Sequence, residues 1–239
     1  MDTLWLQFVQ WLHRAGLHVD ASVAQGVAEG AAQVTQKLDM PGLLALAAAL
    51  GWASGFRLYA VVFLVGGMGA LGWLALPAGL QVLQHPAVLL VSGLLLSVEF
   101  FADKVPFIDS AWDALNVFIR IPGGALLAAG VFGADNATMG VVAGLLGGSL
   151  AATSLATKMT ARAALNTSPE PFSNGLASLF EDGLVVAVVW LATQHPLWFG
   201  AALVVMVVLS VLLLVVLFKF LRAVWCRVSS VFSGSPGVA

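Results

Sequence analysis

Charged residues are scarce in this chain, at 9% of its 239 residues, whereas a soluble domain has about 25%. Hydrophobic residues make up 60% of the sequence, and the mean hydropathy is +0.98. A soluble fold of this length has too little interior to bury so much apolar surface. The composition therefore indicates an integral membrane protein, whose apolar side chains face lipid.

Other absences exclude classes of function. Cys226 is the single cysteine, which excludes an intramolecular disulfide and a cysteine-cluster metal site. The four histidines are scattered, and no metalloprotease, serine-nucleophile or phosphate-loop motif is present. A formal net charge of −2 gives no basic field for a nucleic acid. We therefore predict no enzyme activity, no cofactor and no nucleic-acid partner.

The first 40 residues differ from the rest of the chain. Between residues 4 and 17, apolar side chains fall on one side of a helix and Gln7, Gln10 and Arg14 on the other, which favours an interfacial helix over a span. The basic start and cleavage site of a secretory signal are lacking, so we expect no cleavage. The predicted organisation is an interfacial helical segment (1–40), a polytopic transmembrane domain (41–222) and a cytoplasmic tail (223–239).

Long apolar segments follow Pro41 and predict an all-α membrane protein with about six transmembrane helices. Their predicted limits are 42–65, 86–102, 110–133, 138–160, 172–194 and 197–219. If all six cross the membrane, the Lys and Arg residues near span ends fall on one side, and the opposite loops contain none. The positive-inside rule then predicts that both termini are cytoplasmic.

Glycines recur at four-residue spacing in two predicted spans. Gly51 and Gly55 lie in the first, and Gly140, Gly144 and Gly148 lie in the fourth. Two spans that are three apart run in opposite directions, which suits the inverted three-plus-three repeat of many transporters. The same spacing is also common where membrane helices pack closely, so the sequence leaves both explanations open.

Ionisable residues inside the predicted spans are the strongest functional signal, because each costs about 2.5–3.5 kcal/mol to insert. Arg57 and Arg120, with Tyr59 nearby, are predicted to bind an anionic group. Seven residues are predicted to couple transport to a proton or cation, or to form fixed ion pairs: Glu99, Asp103, Asp109, Asp113, Lys158, Glu181 and Asp182. A polar cavity and a set of structural ion pairs, such as Arg120 with Glu181 or Asp182, both fit this pattern.

Two helix-breaking sequences accompany these charges. Pro122, two residues after Arg120, predicts a broken span beside a substrate site or a simple proline kink. Ser168 and Asn174 flank a double-proline turn and can cap helix starts, where anions could bind. A well-capped turn without a ligand also explains the second sequence.

The combination of motifs resembles a bacterial membrane family known as domain of unknown function 4126, over about residues 42–215. The motifs are Glu99-Phe-Phe-Ala-Asp-Lys-Val-Pro-Phe-Ile-Asp-Ser-Ala-Trp-Asp113, Arg120-Ile-Pro-Gly-Gly-Ala, Ser168-Pro-Glu-Pro-Phe-Ser-Asn and Glu181-Asp182. The resemblance implies a bacterial inner-membrane protein whose ionisable residues, with Lys104, form one constellation. It implies no particular activity.

We hypothesise a secondary transporter or flippase-like permease for a small or lipid-linked anion, coupled to protons or cations. A channel for protons or small ions is the first alternative. The second is a membrane scaffold or assembly factor whose charges are only structural. Membrane lipids and a second copy of the chain are the other expected partners.

Overall fold

A computed structural model of the chain describes residues 39–105, 107–133, 136–167 and 171–232. The predicted interfacial segment (1–40), apart from residues 39 and 40, therefore lies outside the described residues. The described residues form six α-helices, one 3₁₀ helix and no strand: α1 (Met40–Ala70), the 3₁₀ helix (Ala78–Gln84), α2 (Pro86–Ala102), α3 (Ile108–Phe132), α4 (Ala137–Leu165), α5 (Pro171–Gln194) and α6 (Pro196–Phe232).

Each of the six predicted apolar segments is a helix, which confirms the all-α membrane fold. Five of these helices are long and apolar enough to cross a membrane. The exception is α2, whose 17 residues extend only about 26 Å at 1.5 Å per residue, less than a hydrocarbon core of about 30 Å. The 3₁₀ helix precedes α2 at a bend of 68°, and the two together form a sixth, broken span or a re-entrant loop.

Local sequence explains where several helices begin. The Asp39 carboxylate accepts a hydrogen bond from the Gly42 amide at 2.9 Å, and Pro41 occupies the first turn of α1. Asn136 caps α4 in the same way, accepting from the Met139 amide at 3.1 Å. Such caps satisfy amides that have no partner within the helix.

Helix α1 is the centre of the bundle and contacts every other helix. In its most apolar stretch 72% of the residues are buried, against 6% in α6. A membrane helix that is apolar on every side and buried by its neighbours presents no lipid-facing stripe. Polar groups carried by α1 must therefore find partners inside the protein.

Small residues bring α1 and α4 into direct contact. A β-carbon added at Gly51 would lie 2.5 Å from the Gly147 Cα, and one at Gly55 would overlap Ser154 and Ala151. Close backbone approach of this kind is the usual role of small residues in membrane helices. The glycine spacing therefore produces helix packing, while the inverted repeat stays a prediction.

Replacing Gly51 with alanine is expected to destabilise the protein by about 1–3 kcal/mol, because the new methyl group overpacks the contact with Gly147. Gly67→Ala is the matched control, since Gly67 lies on the same helix and has nothing within 4 Å of its added β-carbon. Alanine there is expected to be neutral or slightly stabilising. Thermal unfolding of both variants in one detergent tests this, and equal midpoints would contradict the packing.

Candidate functional site

Ten charged side chains form one buried network among α1–α5, which we call the charged cluster. Its members are Arg57 on α1, Glu99 on α2, Asp103 directly after α2, Asp109, Asp113 and Arg120 on α3, Lys158 and Arg162 on α4, and Glu181 and Asp182 on α5. Only Asp182 has a side chain more than 8% exposed, at 33%. The cluster therefore lies in the interior of the helix bundle.

Helical spacing explains why these residues converge. Asp109, Asp113 and Arg120 are separated by four and seven residues, and Lys158 and Arg162 by four, so each set shares one face of its helix. All five side chains are at most 1% exposed. The charged faces of α3 and α4 are thus both directed into the bundle.

Arg57 holds α1, α2 and α5 together. Its Nη2 lies 2.8 Å from Asp103 Oδ2, and its Nε lies 2.8 Å from Asp182 Oδ1. Nη2 also donates a hydrogen bond to Ser178 Oγ at 2.7 Å. The guanidinium, which is 0% exposed, is therefore already bound by protein groups from two neighbouring elements.

Arg120 pairs differently from the sequence-based hypothesis. It contacts Glu99 Oε1 through Nη2 and Asp113 Oδ1 through Nη1 at 2.7 Å, and no ion pair joins it to Glu181 or Asp182 among the described residues. The reason is the packing order: α3 packs mainly on α4 and α1, whereas α5 packs on α1 and α6. The acids of α5 that were predicted to pair with Arg120 pair with Arg57 instead.

Lys158 is the cation with the most acidic neighbours. Its Nζ lies 3.2 Å from Asp113, 3.3 Å from Glu181, 3.5 Å from Asp103 and 3.9 Å from Glu99. The ammonium group thus contacts carboxylates on α2, α3 and α5 and that of Asp103, which directly follows α2. Within the described residues, no other side chain connects so many elements of the cluster.

Arg162 also joins the network, through Glu181 and Asp103. Arg162 Nη2 contacts Glu181 Oε2 at 3.1 Å, and its Nη1 donates to the Asp103 carbonyl at 3.0 Å. Burial raises the pKa of the Asp103 carboxyl, but the positive charges of Lys158, Arg57 and Arg162 outweigh that effect and hold the pKa below its usual range. Asp103 is therefore kept as a carboxylate.

The backbone of α1 is interrupted at Arg57, whose φ of −149° and ψ of 79° are not helical. The interruption frees carbonyl groups that must be satisfied within the protein, and Phe56 O accepts a hydrogen bond from Lys158 Nζ at 3.2 Å. A positive charge at the C-terminal end of a half-helix is also favoured by its dipole. The predicted break at Pro122 is not observed, since α3 is continuous through that residue.

Other predicted residues lie at the edge of the cluster or outside it. Tyr59 is buried and donates to Asn116 Oδ1 at 2.7 Å, so its hydroxyl is bound by the protein. Lys104 does not join the cluster, because its Nζ lies over the Phe100 ring, 3.1 Å from the centroid. Ser168 and the side chain of Asn174 lie outside the described residues.

Three polar residues of this region were missed from the sequence: Asn116, Ser154 and Ser178. Asn116 lies three residues after Asp113 and four before Arg120, so helical periodicity could have placed it on the same face. Ser178 is three residues before Glu181, and Ser154 is four residues before Lys158. Helical spacing relative to the charged residues was thus the signal that could have identified all three.

The cluster contains more acids than bases, with six carboxyl groups and four cationic groups. A buried excess of negative charge is costly, and a bound proton or cation relieves it. Within the described residues, no group of three or more His, Cys, Asp or Glu side chains is arranged to hold a metal ion. The arrangement is thus suited to taking up protons or single positive charges.

Comparison with known proteins gives one match. The family described as "Domain of unknown function (DUF4126)" matches residues 44–216, which confirms the resemblance seen in the motifs and its extent. Neither the curated proteins nor the solved structures contain a match. The matched range includes every member of the charged cluster.

Proposed function

We propose that this chain, which belongs to the DUF4126 family, is a secondary transporter coupled to protons or cations. The observation that carries the proposal is the interruption of the central helix α1 at Arg57, inside a buried cluster with an excess of carboxyl groups. We place the protein in the bacterial inner membrane with both termini cytoplasmic, as the positive-inside rule predicts.

A broken helix next to buried charges is typical of transporter binding sites. Half-helix ends present backbone carbonyl and amide groups that can exchange partners without breaking a continuous helix. Here the carbonyl of Phe56 is bound by Lys158, and Arg57 itself is the non-helical residue. Motion of one part of α1 relative to the other would change contacts of both cations at once.

The charge balance favours a positively charged coupling ion. An anionic substrate, as hypothesised from the sequence, would have to replace a carboxylate on Arg57 or Arg120 and would stay close to the remaining acids. A proton or cation meets no such competition, because two carboxyl groups are in excess over the cations of the cluster. If the substrate is an anion, we propose that a proton or cation accompanies it.

Exchange of ion pairs gives a mechanism for coupling. Protonation of Glu181 would release Lys158 and Arg162, which lie 3.3 and 3.1 Å from its Oε2. Lys158 would retain Asp113 at 3.2 Å, so the released ammonium would not become an unpaired buried charge, which would cost several kcal/mol. One proton would thus rearrange contacts among α3, α4 and α5 without leaving a cation alone.

Proteoliposomes on a solid-supported membrane would test coupled transport. We expect a mixture of small organic anions or of organic cations to produce a saturable current that increases with an inward proton gradient. Glu181→Gln is expected to reduce the gradient-dependent increase in current at least tenfold, because the amide cannot exchange a proton. This variant should fold, since it removes one of the excess carboxyl groups.

Asp39→Asn is the matched control, because Asp39 is an exposed helix cap far along α1 from the cluster and asparagine caps equally well. It is expected to behave as the unmodified protein. A current that rises linearly with ion concentration would instead support the channel. Currents no larger than those of protein-free liposomes, with every mixture and gradient, would refute transport.

The scaffold remains the second candidate because each of the four cations already contacts a carboxylate. Ion pairs that engage every cation of the cluster can hold helices together without any ligand. The scaffold predicts that Glu181→Gln changes only stability and that no substrate mixture produces a current. The same two measurements therefore distinguish the transporter from the scaffold.

A further inference from the structure

A groove of about 480 Å³ opens on the surface of the bundle between α1, α2 and α5, within the volume range of about 300–1,000 Å³ that small-molecule sites occupy. Its walls are apolar apart from one hydroxyl and one carboxylate. The lining includes Phe63 on α1, four residues of α2, namely Leu96, Ser97, Phe100 and Phe101, and Asp182 on α5. Phe63 and Phe101 in its wall are exposed, so the groove is open to molecules dissolved in the surrounding bilayer.

Asp182 connects this groove to the charged cluster. It is the only member of the cluster that lines the groove, and one-third of its side chain is exposed. Its Oδ1 contacts Arg57 Nε at 2.8 Å. An otherwise apolar groove therefore presents a single acidic group at the point where it meets the buried network.

Aromatic rings line the same groove. Phe63 and Phe101 are 42% and 68% exposed, and the Phe100 ring already carries the Lys104 ammonium 3.1 Å from its centroid. Aromatic faces attract cations, most strongly where water is excluded. The walls and the carboxylate are therefore complementary to the same type of molecule, an apolar body with a positive charge.

We propose that the groove binds amphiphilic organic cations, with the positive group at Asp182 and the apolar part against the phenylalanine rings. Binding follows from the groove alone. That the bound cation is also the transported substrate rests on the function proposed above. Lipid acyl chains would contact the apolar walls but carry no positive charge to pair with the Asp182 carboxylate.

Arg57 can release Asp182 without losing all its partners. A cation at Asp182 competes with the guanidinium, but Arg57 keeps Asp103 at 2.8 Å and lies 3.9 Å from Glu181. The displaced arginine therefore stays paired, which avoids the high cost of an isolated buried charge. Since Arg57 is the break point of α1, occupation of the groove would act directly on the interrupted helix.

Equilibrium binding of tetraphenylphosphonium to the full chain in lipid nanodiscs tests the proposal. Tetraphenylborate is the control ligand, because it has nearly the same shape and the opposite charge. We expect saturable binding of the cation and at least tenfold weaker binding of the borate. Asp182→Asn is expected to weaken binding of the cation at least tenfold. The Asp39→Asn protein, which is changed at an exposed cap distant from the groove, should bind it normally.

Leu96→Trp provides a second variant that fills the groove without touching the charged cluster, and it should also reduce binding at least tenfold. Equal binding of both ions would show that the groove takes only lipid-like apolar groups, and would overturn the proposal. Unchanged binding in both groove variants would overturn it as well. The assay uses no gradient. Binding in nanodiscs without a cation-driven current in proteoliposomes would therefore refute only the claim that the bound cation is the transported substrate, and would leave the binding site intact.

Discussion

Arg120→Met is expected to destabilise the protein by about 3–5 kcal/mol, the typical cost of removing one partner of a buried ion pair. Arg120 is 0% exposed and contacts both Glu99 and Asp113. Without it, Lys158 is the remaining cation within 4 Å of these two acids. The free energy of unfolding in mixed detergent micelles measures the loss, and Arg222→Met, at an exposed position of α6, is the control.

Second substitutions identify the true partner of Arg120. Adding Glu99→Gln to Arg120→Met is expected to restore part of the lost stability, because it removes one of the two buried carboxylates that lost the arginine. Adding Glu181→Gln should restore less, since Glu181 contacts Lys158 and Arg162. If Glu181→Gln proved the better rescue, the pairing in the structure would be wrong and the pairing predicted from sequence would be right.

Hydropathy and helical spacing predicted the general architecture well. Apolar segments separated by residues that stop helices or favour turns predicted all six helices, because a membrane span must satisfy its backbone internally. Spacing of four residues puts Asp109 beside Asp113 on α3 and Lys158 beside Arg162 on α4, and the structure buries both pairs. The high cost of lipid-exposed charge also predicted correctly that these side chains lie inside the bundle.

The partners of each charge could not be predicted in the same way. Which helices meet depends on shape at points such as Gly51 and Gly147, and a helix that is apolar on every side gives no pattern for its rotation. Arg120 was therefore assigned to acids on α5 that pair with Arg57. The break in α1 was also missed, because it has no proline and is stabilised by a distant group, Lys158, whereas Pro122 is accommodated in a continuous helix.

Lys158→Met is expected to have the largest effect of any single substitution, at the upper end of, or beyond, the roughly 3–5 kcal/mol for a broken buried pair. The ammonium lies within 4 Å of four carboxylates. Its loss would raise the excess of acids over cations from two to three. It would also leave the Phe56 carbonyl without the lysine that binds it at the break of α1.

The yield of folded protein on gel filtration and its free energy of unfolding measure this effect. Lys219→Met, an exposed lysine on α6, is the control and should change neither quantity. Adding Glu181→Gln to Lys158→Met should recover folding in part, because it restores the original excess of two acids. The rescued protein should still lack gradient-driven currents, since both the exchanging carboxyl group and the cation it releases are gone. A Lys158→Met protein as stable as the control would mean that the cluster does not depend on its central cation, and coupling through exchange of ion pairs would then have no physical basis.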